Sequence, residues 1–233
     1  MNNINWLSGP APHTALAQLR ASGVLRQVLP EVDALYGVPQ SAEHHPEICT
    51  GIHTEMCLEV AERLHLSPQA RFAVLVHDLG KARTPAHEWP RHLNHESRGM
   101  APVIEVCERL GITGRTRQLA LLVCKKHLDA HRAFVMRERS VISFLEDTAM
   151  ERDRDMLVDF VAACEADKRG RLGMMDGTYP QGAYLLACQA ALAPLPHAAG
   201  TASTDTSVEA QRKHVLRLQA VRAQRLLFAP SNA

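Results

Sequence analysis

Apolar residues return every three or four positions along most of this 233-residue chain. No stretch alternates apolar with polar as a half-buried strand requires. That periodicity is the strongest constraint on the fold, and it predicts an all-α protein. Residues 14–29 carry Leu16, Leu19, Val24, Leu25 and Val28, giving one or two short helices around Gly23. In 52–65, Ile52, Met56, Val60 and Leu64 share one stripe. A helix over 68–79 opens on Pro68, suited to a first turn, with Ser67 as its cap and Gly80 as its stop. Residues 81–94 hold two prolines and read as a loop, and more helices are predicted at 95–110, 114–128, 139–147, 153–167 and 180–191.

Residues 192–207 are poor in large apolar side chains and rich in Ala, Ser, Thr, Pro and Gly, a linker composition. Beyond them, 208–228 carries Val208, Val215, Leu218, Val221 and Leu226 among many arginines. It reads as an amphipathic helix that docks on the domain or on a second copy in a homodimer, or that offers its basic face to RNA. Charge is nearly balanced, 26 basic against 25 acidic residues, so composition gives no reason to expect general nucleic-acid affinity. Six cysteines without a C-x-x-C pair read as reduced, mostly structural thiols. There is no apolar segment behind Met1 and no apolar run of the ~18 residues a membrane span needs. The expectation is a cytoplasmic protein with no membrane partner.

Thirteen histidines stand out in the composition, and their placement carries the functional argument. In FAVLVHDLGKARTP, His77 and Asp78 are adjacent at the end of an apolar helix. Consecutive helical residues project ~100° apart, so both can lean toward one cation. Imidazole with carboxylate suits Mn, Fe, Co, Ni or Zn, with Mg where carboxylate and water dominate.

The segment H-D-L-G-K-x-x-T-P, preceded by G-I-H-T-E-M and followed by E-W-P-R-H-x-x-H-E, resembles the HD domain carried by bacterial tRNA nucleotidyltransferases, the CCA-adding enzymes. The likeness extends upstream through VLPEVDALYGVPQSAEHHPEICTGIH and downstream to ACEADKRGRLG and YPQGAYL, covering about residues 16–190. It implies an HD-domain helical bundle over 41–191, a segment over 1–40 resembling the part that adjoins it and binds tRNA, and a C-terminal helix in 208–233. The Gly-rich nucleotide loop and paired catalytic carboxylates of that family's other half have no counterpart here. The implied activity is therefore the HD domain's own: metal-dependent phosphohydrolysis as phosphatase, 2′-nucleotidase or 2′,3′-cyclic phosphodiesterase. The implied substrate is a nucleotide or an RNA end, tRNA included. Hydrolysis of cyclic-nucleotide signals and a non-catalytic tRNA-binding or assembly module are the alternatives.

The resemblance also assigns residues. Its pattern of His, then His-Asp, then a distant Asp falls on His53, His77, Asp78 and Asp167 as metal ligands. His95, in H-x-x-x-G, and His127, ending LALLVCKKH, are candidates for a second ion, or else orient substrate. Asp78 and His77 are expected to hold a metal-activated water. Lys81, Arg91, His92 and Arg169 are candidates to bind the phosphate, Arg169 with the alternative of pairing with Glu165. The chain departs from the family at Cys49, usually acidic, and at Leu93-Asn94, usually His-Gly. Both changes are expected near the mouth of the site.

Overall fold

Ser67 accepts a hydrogen bond from the Ala70 N–H, and Pro68 follows it into the helix that anchors the core, so this start signal works as the sequence predicts. The computed structural model describes residues 4–196 and 208–228. Eleven α-helices occur among them: α1 (Pro12–Ala21), α2 (Leu25–Val28), α3 (Pro30–Asp33), α4 (Thr50–Arg63), α5 (Pro68–Val76), α6 (His95–Leu110), α7 (Gly114–His131), α8 (Glu138–Asp147), α9 (Arg154–Arg169), α10 (Pro180–Leu192) and α11 (Val208–Phe228). The described residues contain no strand, only an isolated antiparallel bridge between Pro39 and Cys49. The fold is all-α. No helix among the described residues is long and apolar enough to cross a membrane.

The chain forms two compact units, neither of them continuous in sequence. The first combines Met1–Leu128 with Ala162–Tyr179; the second combines Asp129–Val161 with Pro180–Ala233. In the first, α4 packs on α1 and α5. Phe72, Ala73, Val74, Leu75 and Val76 are all buried, so the second half of α5 is apolar on every side and runs through the interior. Burying a side chain such as Phe72 or Leu75 contributes roughly 1.5–3 kcal/mol.

Gly80 does not stop α5. That helix ends at Val76 with His77 as its C-cap, and Gly80 lies inside a 3-10 turn, Leu79–Arg83. A Cβ on Gly80 would sit 1.9 Å from the His95 carbonyl oxygen and 2.6 Å from the Gly99 nitrogen. The glycine is needed because this turn lies backbone to backbone on the start of α6.

The second unit packs α8, α10 and α11 together, with Phe134 against Tyr184 and Phe144 against Phe160. Here α11 departs from its predicted stripe. Val208, Val215 and Leu226 are exposed, and the residues it buries are Val221 and Arg217. Arg217 is 1% exposed and pairs with Glu146 (3.0 Å) and Glu151 (2.6 Å). A hydropathy stripe cannot reveal a face whose centre is a neutralised charge. The linker expected over 192–207 lies outside the described residues from 197 onward, and Leu192 closes α10. All six cysteines are free, and five of them are buried.

Candidate metal centre

Six side chains in the first unit converge: His53 from the first turn of α4, His77 at the cap of α5, Asp78 ahead of the 3-10 turn, His95 opening α6, His127 from α7 and Asp167 from the last turn of α9. All are buried. Each of the four histidines presents the same nitrogen outward. Nδ1 of His53 donates to the Gly170 carbonyl (3.1 Å), of His77 to Val74 (2.8 Å), of His95 to His92 (3.0 Å) and of His127 to Val123 (3.0 Å). A carbonyl only accepts, so each Nδ1 carries a proton and each Nε2 is turned inward.

Those nitrogens face the two carboxylates. His53 Nε2 is 3.0 Å from Asp167 Oδ1, and His77 Nε2 is 3.2 Å from Asp78 Oδ2 and 3.7 Å from Asp167 Oδ1. His95 Nε2 lies 3.4 Å and His127 Nε2 3.9 Å from Asp78 Oδ1. The donors fall into two triads, His53–His77–Asp167 and Asp78–His95–His127, each compact enough to hold an ion.

Electrostatics test whether a cation fits. Burial lowers His95 and takes His127 down to about 3, so both rings are neutral. Their Nε2 atoms lie 3.3 Å apart, close enough for one cation to meet both. His77 Nε2 and both oxygens of Asp78 are buried, and they compensate one another across 3.2 Å with Lys81 Nζ 2.6 Å from Oδ2, since a buried charge is costly unless paired. Burial works against the charge on His53 and His77. Cys57, Asp167 and Glu47 around the first, and Asp78 and Asp167 around the second, hold both imidazoles well above their ordinary value. Burial likewise opposes ionisation of Asp78, yet His77 and Lys81 keep it well below the usual carboxylate range. A divalent ion would take over this balance by displacing the Nε2 protons. The residues present fit a metal.

The remaining predicted residues are placed differently. Lys81 is buried, with Nζ 2.6 Å from Asp78 Oδ2 and 2.5 Å from Gln40 Oε1, so it belongs to the centre but is partly committed. Arg91 is exposed on the loop. His92 is buried with Nδ1 against the Thr84 hydroxyl (2.5 Å) and Nε2 donating to the Pro39 carbonyl (2.7 Å). Arg169 binds Glu165 (2.6 Å) and the Met175 carbonyl. His92 and Arg169 each have protein partners in this structure, and for Arg169 Glu165 is one of them. Cys49 Sγ accepts the Gly37 N–H (3.2 Å), and Asn94 takes the left-handed conformation (φ 57°) that asparagine tolerates best among non-glycine residues. Both departures serve local backbone geometry. The residue sequence reasoning missed is Glu47, whose side chain touches His53; the motif His45-Pro46-Glu47 ahead of the ligand helix was its only signal.

The family model for the HD domain matches residues 50–169. This chain belongs to the HD-domain family. The matched span begins three residues before His53 and ends two after Asp167, so it brackets every converging residue. HD domains form a superfamily of metal-dependent phosphohydrolases. The domain is also 49% identical over 167 residues to the multifunctional CCA protein of Acinetobacter baumannii strain ATCC 17978, covering 72% of this chain and 40% of that protein. With the multifunctional CCA protein of Xanthomonas euvesicatoria pv. vesicatoria strain 85-10 it shares 48% identity over 186 residues, 79% of this chain and 45% of the relative. The chain thus spans less than half the length of these curated relatives. No solved structure matches it.

Proposed function

We propose that this HD domain hydrolyses phosphate esters of nucleotides or RNA ends, with 2′,3′-cyclic and 2′-phosphorylated ribose as the preferred groups and tRNA among the substrates. The observation that carries the reading is the convergence of four histidine Nε2 atoms on two buried carboxylates. The two triads support two ions per chain, and their nitrogen and oxygen donors suit Mn, Fe, Co, Ni or Zn, with Mg as a weaker fit. A bound ion supplies Lewis acidity and a water acidified toward neutrality. The residues do the rest. The water oxygen bonds to phosphorus as the P–O bond to the ribose oxygen breaks, and that oxygen takes up a proton. Asp78 orients the water, Lys81 offsets charge growing on the phosphoryl oxygens, and exposed Arg91 offers a bidentate fork to the incoming phosphate. The six free cysteines agree with a reducing compartment such as the cytoplasm.

The test is a panel of 2′,3′-cyclic AMP, 2′-AMP, 3′,5′-cyclic AMP, 5′-nucleotides and dNTPs with Mg, Mn, Ni or Co. Turnover of the first two is the expected result. Turnover confined to 3′,5′-cyclic AMP would move the assignment to signal hydrolysis. Silence across the panel with tRNA binding retained would replace it with a binding module.

A further inference from the structure

The hairpin-like loop ahead of α4 carries a carboxylate that no step above uses. Glu47 is almost fully buried through its side chain (2% exposed). Its Oε1 is 2.9 Å from His45 Nδ1 and 3.1 Å from His53 Nδ1, and its Oε2 accepts the Leu172 N–H at 3.2 Å. One carboxylate therefore joins the loop, the ligand helix and the segment after α9. The His45 ring stands edge-on to the His53 ring at 4.6 Å.

The loop is built to deliver this group. The Pro39–Cys49 bridge and the Gln40 N–H to Ile48 carbonyl bond (2.7 Å) close it. Ile48, directly after Glu47, sits at φ 60°, a left-handed conformation that is strained for a β-branched residue. The Ile48 side chain is half exposed and adds little to the core, so the turn serves to aim its neighbour inward.

We propose that Glu47 is a positioning residue of the metal centre, gripping His53 at its Nδ1 edge so that Nε2 is locked toward Asp167 and His77. The proposal rests on the metal-centre reading above. Glu47 and the Gly170 carbonyl lie equally far from Nδ1 (3.1 Å each) and share its proton. The carbonyl fixes the tautomer, while the carboxylate adds charge that makes Nε2 a stronger ligand. His45, Glu47 and His53 also lie within ligand distance of one another. Because His53 Nδ1 carries a proton, that trio is support for the centre and not a third cation site.

The test uses the full chain and cobalt(II) alone, read by its visible absorption and by competition with a chelator, with melting of the metal-free protein as control. Glu47→Ala should weaken cobalt affinity about 10- to 100-fold and shift the visible bands. Glu47→Gln, which keeps an acceptor but loses the charge, should fall between; it decides the matter if the alanine variant does not fold. Unchanged affinity and spectrum with a lowered metal-free melting temperature would make Glu47 merely structural and overturn the proposal. Absence of cobalt binding by the unaltered chain would overturn the metal-centre reading itself.

Discussion

In the first unit, four imidazoles and two carboxylates turn their donor atoms toward one another; in the second, one guanidinium sits between two carboxylates. The first cluster is buried throughout, whereas in the second Arg217 and Glu151 are buried and Glu146 is part-exposed; both are anchored by helices that also carry core residues. In the second, one nitrogen of Arg217 supplies the cation for Glu146 and Glu151, while its Nε and Nη1 are buried without a hydrogen bond. The first gathers four imidazole nitrogens around two carboxylates, with Lys81 against one of them. Burial of charge alone therefore does not mark a functional site. The mark is a set of nitrogen and oxygen donors that converge closely enough to hold an ion.

The largest effect should come from removing a carboxylate of the first cluster. A metal ion contributes several kcal/mol to phosphoryl transfer, so Asp78→Ala or Asp167→Ala should reduce turnover about a thousandfold or more. The helical circular dichroism should hardly change, because neither side chain packs the apolar core. Wild-type-like activity in either purified variant would refute the site.

In the second cluster the loss should appear as stability. Arg217→Met leaves buried Glu151 and part-exposed Glu146 without their cation and should cost about 3 kcal/mol in denaturant unfolding, whereas replacing all three charges by apolar residues should recover most of that. Metal affinity per folded molecule should not move. A drop in cobalt affinity with Arg217→Met would break the separation drawn between the clusters.

Gly80→Ala probes the scaffold of the first. The new methyl group cannot coexist with the His95 carbonyl, so the turn carrying Asp78 and the start of α6 must separate. Destabilisation of about 1–3 kcal/mol is expected, together with weaker metal binding. Calorimetry of both quantities checks it: lost stability with intact affinity would show that Asp78 and His95 need not meet.

The smallest effect is a pH dependence. Burial pushes His45 down to about 4, against hydrogen bonding to Glu47 that raises it and the nearby Lys81, His53 and Arg171 that lower it. The unfolded chain, titrating near 6.5, then binds a proton that the folded chain refuses. The contribution of His45 is present above about pH 6.5 and is lost as pH falls toward 4. Metal-free wild type should lose stability relative to His45→Gln across that interval. Parallel stability curves for the two proteins would show that His45 titrates normally.

Much of the fold and of the first cluster is legible in the sequence. Apolar periodicity with caps such as Ser67 and Pro68 predicts α5 and α6 closely, because local hydrogen bonding and a buried face decide a helix within its own segment. The converging residues His77 and Asp78 are readable from H-D-x-G-K, and His53 and Asp167 from resemblance. Gly80 reads as a helix stop because the sequence shows a glycine but not the backbone that crowds it. Arg217 and Glu47 are not legible as buried residues, since a charge is buried only when its partner arrives from elsewhere in the chain.

By itself, then, the sequence determined the helical class, most helix limits and the residue types able to hold a cation. Only the tertiary structure decided which nitrogen each histidine presents, how His95 and His127 face Asp78 across 3.4–3.9 Å, and which charges meet partners within the protein. The physical reason is distance along the chain. Periodicity and capping act over a few residues, whereas the centre joins side chains as far apart as His53 and Asp167, whose meeting depends on the packing of every helix between them.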